Sequence, residues 1–213
     1  MTLFLDLDGP ILDVRERYYA VHQALVGSAA SRLSLDAFWD LKRDQTPIRD
    51  LLTQCGMPAE AAGSYSLGWR DQIEAECWLE LDRIFDGIDV LLRHWQASHR
   101  LILVTLRQRP DLVRNQLDRL KLTPRFETIL TTTPMEGPGW ESKAKLIRSH
   151  SGFRQGAWVV GDTEIDIRAG KLVGLKTVGV LTGIRNRRRL EAENPDVVMD
   201  RLADLSRLLD QDI

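Results

Sequence analysis

Leu3-Phe4-Leu5-Asp6-Leu7-Asp8-Gly9-Pro10 decides the reading of the chain. Its bulky apolar residues suit a strand buried on both faces, and Gly9-Pro10 is a turn signal that stops it. Asp6 and Asp8 then stand at the strand's C-terminal end. Period-two alternation turns both acids to one side, with Leu7 facing the other way. In an open parallel sheet, ligands bind in the crevice beyond the carboxyl ends of the strands, where strand order reverses.

Working outward, the chain after this strand changes to helical periodicity. Val14 to Val26, Leu35 to Lys42, Pro47 to Gln54 and Pro58 to Leu79 carry helix-spaced apolar residues, with Ser34 and Thr46 as N-caps. After Asp86-Gly87 strand and helix alternate. Strands are expected at Leu101 to Val104, Thr128 to Thr131, Ala157 to Val160, Lys176 to Leu181 and Val197 to Met199. Helices fall between them, among them Pro110 to Leu120, Glu141 to His150 and Glu164 to Val173, and a loop is expected at Thr133 to Gly139. Repeated strand-helix units imply an α/β fold with a parallel sheet covered on both faces. The first strand must share that sheet, so residues 14–83 are an all-helical insertion between residues 1–13 and residues 84–213.

The 213 residues are 43% hydrophobic and 28% charged, the composition of a folded globular protein. A formal net charge of -2 gives no reason to expect nucleic acid or an anionic membrane as partner. The basic run Arg185, Arg187, Arg188 and Arg189 is followed by Glu191 and Glu193, which reads as a solvated helix face. Cys55 and Cys77 lack metal-type spacing and suggest reduced thiols, hence a cytoplasmic location, and no apolar stretch approaches a membrane span.

Three expected strand ends terminate in polar residues: Asp6 and Asp8, then Thr105, then Asp162, with Asp166 four residues further on. Four carboxylates would crowd one crevice. Like charges about 4 Å apart repel by roughly 4 kcal/mol at an effective dielectric near 20, so a cation or protons must compensate them. An all-oxygen set suits magnesium. A cationic side chain comes from Ser142-Lys143-Ala144-Lys145: Lys143 shares a helix face with Leu146 and Ile147 and points inward, whereas Lys145 falls on the solvated face.

Asp6-Leu7-Asp8-Gly9, Thr105, Lys143 and Gly161-Asp162-Thr163-Glu164-Ile165-Asp166 resemble, in order and spacing, the four motifs of the haloacid dehalogenase-like hydrolase superfamily. The helical insertion resembles the cap of the subgroup that contains phosphoglycolate phosphatases and beta-phosphoglucomutases. The resemblance implies a Rossmann-like, doubly wound core with a helical cap domain. It implies that Asp6 is the nucleophile, forming an aspartyl phosphate, and that Asp8 is general acid and then general base. Asp6, the Asp8 backbone carbonyl and Asp162 would hold Mg2+, with Asp166 ordering its waters or Lys143. Thr105 and nearby backbone N–H groups would bind phosphate, and Lys143 would offset its charge. Leu106 replaces a common asparagine, so it would contribute its backbone N–H.

The reading is a magnesium-dependent phosphatase of a small phosphorylated metabolite. A phosphomutase sharing the aspartyl phosphate is the enzymatic alternative, and a non-catalytic binding protein on a hydrolase fold is the alternative from another class. Lys42 and Arg43, beside Gln45, occupy a turn between cap helices that resembles the subgroup's specificity loop. They are the candidates for reading the substrate.

Overall fold

The computed structural model describes residues 1–27, 33–132 and 137–209 of the chain. The expected loop at Thr133 to Gly139 begins outside these residues. The chain divides into two compact units, one of Met1–Asp13 with Ile84–Ile213 and one of Val14–Arg83.

The first unit is built on six parallel strands. β1 (Thr2–Leu5) is followed by the short β2 (Leu12–Asp13) and β3 (Arg83–Ile84), which form a separate two-stranded sheet. Then come β4 (Arg100–Val104), β5 (Thr128–Leu130), β6 (Trp158–Gly161), β7 (Lys176–Val180) and β8 (Val197–Met199). The main sheet has the order β5-β4-β1-β6-β7-β8, with every pairing parallel. The chain builds outward from β1 through β4 and β5, then returns past β1 to lay down β6, β7 and β8. Strand order therefore reverses between β1 and β6, which is where a doubly wound sheet opens a crevice.

All four β1 residues are buried, and three of them, Leu3, Phe4 and Leu5, are the apolar side chains a strand between two helix layers needs. On one face Phe4, Ile102, Val104 and Val159 pack with Ala144, Ile147 and Ala169 from the helices Gly139–Ser149 and Glu164–Leu172. Fully burying one such large side chain contributes about 1.5–3 kcal/mol, so this layer fixes the strand ends that carry the polar residues. β1 ends at Leu5, so Asp6 and Asp8 lie in the turn beyond it and not on the strand. Asp6 keeps sheet geometry through one bond, its N–H donating to the Val160 carbonyl at 2.9 Å. Past it the chain folds back tightly: the Leu12 N–H reaches the Leu7 carbonyl at 3.0 Å, and Gly9 adopts φ +92°.

The second unit is helical: Arg15–Val26, Leu35–Arg43, Ile48–Gln54, Ala62–Gln72 and Glu76–Leu79. Ser34 caps the second of these by accepting from the Ala37 N–H. Thr46 does not cap the third, because Pro47 takes the N-cap position without a side-chain bond. The helix expected from Pro58 to Leu79 is three pieces. Its break follows Gln72, where the Arg17 guanidinium donates to the Ile73 carbonyl at 3.1 Å and takes the place of a continuing helical N–H. Phe38, Leu51, Leu52, Cys55 and Tyr65 form the core of this unit. Among the described residues, no helix is long and apolar enough to cross a membrane.

Candidate active site

The switch point between β1 and β6 brings Asp6 beside Asp162, each just past the end of its strand. Asp166 sits in the first turn of Glu164–Leu172 and folds back on the loop. One of its oxygens accepts from the Thr163 N–H at 3.0 Å and from the Thr163 hydroxyl at 2.6 Å. That bond satisfies an otherwise orphaned helix N-terminus and fixes the Asp166 rotamer. Its other oxygen pairs with Lys143.

Lys143 is buried, on the face of Gly139–Ser149 that also buries Ala144 and Ile147, while Lys145 is exposed. The Lys143 Nζ lies 2.8 Å from Asp6 Oδ1 as well as against Asp166, so one ammonium bridges two carboxylates. Burial alone would lower its proton affinity, but Asp166 and Asp6 more than offset this and raise it above the usual lysine range.

Asp6, Asp162 and Asp166 each offer a carboxylate oxygen, and these three atoms lie within 4.8 Å of one another. Burial, opposed by Lys143 and reinforced by Asp166 and Asp8, pushes Asp6 from 3.8 up to about 7. Burial, followed by the charges of Asp6 and Asp166, raises Asp162 well above the carboxylate range. Three acids against one ammonium leave negative charge uncompensated in a place that disfavours it. The donor set is all oxygen, so the residues fit a hard divalent cation. The turn after β1 is shaped to this cluster, since a Cβ on Gly9 would come within 2.4 Å of the Asp162 carboxylate.

Asp8 stands outside this group of three. Its carboxylate is gripped by the Arg107 guanidinium through two bonds, one of 3.1 Å from Nε and a second from the terminal nitrogen. Arg107 is itself buried and also donates to Gln116 on the helix Pro110–Arg119. Thr105 is buried at the end of β4; its hydroxyl accepts from the Arg107 N–H at 3.4 Å and its own N–H is spent on the Leu130 carbonyl. Leu106 follows, half-buried. Sequence reading passed over Arg107, although a cation two residues beyond a polar strand end is a usable signal.

Lys42, Arg43 and Gln45 belong to the helical unit. The Lys42 Nζ lies 4.5 Å from the centre of the Trp69 ring and 5.8 Å from that of Tyr18, a cation held on aromatic faces. Arg43 ends the helix Leu35–Arg43, and Gln45 takes the left-handed conformation at φ +56°.

In sequence and in fold the chain is similar to known proteins. The HAD-hydrolase-like family model matches residues 139–205. Pyrophosphatase PpaX of Bacillus velezensis is 26% identical over 215 residues, covering 96% of this chain and 94% of the relative. A phosphoglycolate phosphatase of Pseudomonas putida is 27% identical over 126 residues, covering 58% of this chain and 46% of the relative. In structure, a haloacid dehalogenase-like family hydrolase from Streptococcus pneumoniae superimposes with a TM-score of 0.77 at 16% identity, covering 98% of this chain and 97% of that one. The chain is thus similar to the HAD-hydrolase-like family over its C-terminal segment and to PpaX over its full length, and it shares the fold of a haloacid dehalogenase-like hydrolase.

Proposed function

We propose that the protein is a magnesium-dependent phosphatase that hydrolyses a small phosphorylated metabolite through an aspartyl phosphate on Asp6. The observation that carries this reading is the placement of Asp6: a carboxylate beside Asp162, steadied by the Lys143 ammonium at 2.8 Å, with a second acid, Asp8, two residues on. One Asp6 oxygen would attack phosphorus as the bond to the leaving oxygen breaks, and Asp8 would give that oxygen its proton. Asp8 would then take a proton from water as the water oxygen bonds to phosphorus and the Asp6 bond breaks. Lys143 and Thr105 would hold the phosphoryl oxygens, together with the Leu106 N–H, where charge develops.

Asp6, Asp162 and the Asp8 backbone carbonyl would hold the magnesium. Asp166, whose two oxygens are engaged by Lys143 and Thr163, would orient Lys143 and bound water. The ion, when bound, neutralises charge on the carboxylates and on the transferred group. Uncatalysed phosphate-monoester hydrolysis is slow enough to need acceleration up to ~10²¹, which no single residue supplies. The reading is tested by measuring phosphate release from a panel of phosphorylated metabolites with magnesium and with a chelator. Release that depends on magnesium and disappears in Asp6→Asn is expected; release indifferent to both would overturn it.

A further inference from the structure

The loop after β7 converges on the same crevice without contributing a carboxylate to it. The Thr182 hydroxyl donates to the Gly9 carbonyl at 2.7 Å, the Ile184 N–H donates to Asp162 Oδ2 at 2.6 Å, and Arg185 pairs with Glu164 at 2.7 and 3.0 Å. Gly183 lies between them, and a Cβ there would fall 1.9 Å from Asp162 Oδ2. The backbone therefore passes the carboxylate at a separation only glycine allows. Four consecutive residues thus brace the turn after β1, Asp162 itself and the start of the helix that carries Asp166.

This bracing settles how many oxygens the cluster can offer. Asp162 Oδ2 is taken by Ile184, and Asp6 Oδ1 is paired with Lys143. Both Asp166 oxygens are engaged, one by Lys143 and the other by Thr163. Among the described residues, Asp6 and Asp162 each keep one oxygen outside these bonds. A small cation with an octahedral shell accepts one oxygen per carboxylate, whereas calcium takes a larger shell and favours both oxygens of a carboxylate.

We propose that the Thr182–Arg185 loop is a positioning element that makes Asp162 a one-oxygen ligand and thereby selects a magnesium-sized cation over calcium. The inference rests on the reading of this cluster as a divalent-cation site. Groups that orient a metal ligand typically govern ten- to a hundredfold in affinity.

The test is binding of Mn2+ alone to the purified full chain, followed by the electron paramagnetic resonance of free Mn2+, with Ca2+ as competitor. Gly183→Ala, which must push Asp162 aside, is expected to lower Mn2+ affinity about ten- to a hundredfold and to let Ca2+ compete relatively better, with an unchanged circular dichroism spectrum. Thr182→Val removes the hydroxyl at nearly constant volume and is expected to weaken Mn2+ binding, and Thr182→Ser to restore it. If Gly183→Ala does not fold, the Thr182 pair decides. Unchanged Mn2+ affinity and Ca2+ competition in the folded variants of a wild type that binds Mn2+ would overturn this inference and leave the proposed function standing. A wild type that binds no Mn2+ would overturn both.

Discussion

Asp6→Asn should make the cation-free protein more stable while abolishing turnover. Asp6 is raised from 3.8 to about 7, chiefly by burial. Between those values the folded chain holds a proton that the unfolded chain releases, so stability falls as pH rises across the window and is lowest above it. At ~1.4 kcal/mol for each tenfold change in proton affinity, the charged carboxylate costs roughly 4 kcal/mol at pH 8. That cost is already net of the 2.8 Å pairing with Lys143, so asparagine, which cannot ionise, removes all of it while Lys143 keeps Asp166. The gain is about 4 kcal/mol at pH 8, roughly 8–16 °C in the melting temperature for a chain of this size. The assay is calorimetry with a chelator at pH 5 and pH 8. The variant should melt above wild type at both values, with a margin at pH 5 less than half that at pH 8. A variant less stable than wild type at pH 8 would refute the reasoning, because it would mean that Asp6 is held by attraction and not strained by burial.

Arg107→Gln loosens the grip on Asp8, and losing a charge-assisted contact of about 1.5–3 kcal/mol should slow turnover roughly ten- to a hundredfold. The loss should be larger for alkyl than for aryl phosphates, since proton donation matters most for poor leaving groups; an equal loss for both would mean that Arg107 only supports the loop. Replacing Lys42 and Arg43 with alanine should lower kcat/KM for a charged natural substrate by about ten- to a hundredfold more than for a small aryl phosphate, and equal effects would remove them from substrate reading. His22, buried against Phe38 with Tyr65 and Cys55 at its ring nitrogens, is lowered from 6.5 to about 4 by burial and then by Lys42. Its neutral form contributes roughly 3 kcal/mol above pH 6.5 that is lost as pH falls through 4, so acid titration of stability should flatten in His22→Gln.

The parts legible in the sequence are those carried by local pattern. An apolar run ending in acids and glycine gives a buried strand with its acids just past its C-terminal end, and helical spacing puts Lys143 rather than Lys145 on the buried face. The alternation after Gly87 is enough for a parallel α/β sheet. Longer-range partners leave no such trace. Arg107 meets an acid 99 positions earlier, and Arg17 ends a helix by reaching Ile73, 56 positions later. The Ile184 N–H that fixes Asp162 is a backbone group, and every residue other than proline has one. The short strands β2 and β3, two residues each, are below the length at which alternation can be read.

The most direct test of the central claim is chemical trapping of the phosphoenzyme. Wild type and Asp8→Asn are mixed with an aryl phosphate and magnesium, quenched in acid, reduced with borohydride and mapped by mass spectrometry. An aspartyl phosphate reduces to homoserine. The account predicts homoserine at position 6, accumulating further in Asp8→Asn, where the water that releases phosphate lacks its base. Steady phosphate release with position 6 unmodified, or with the modification at another residue, would contradict it.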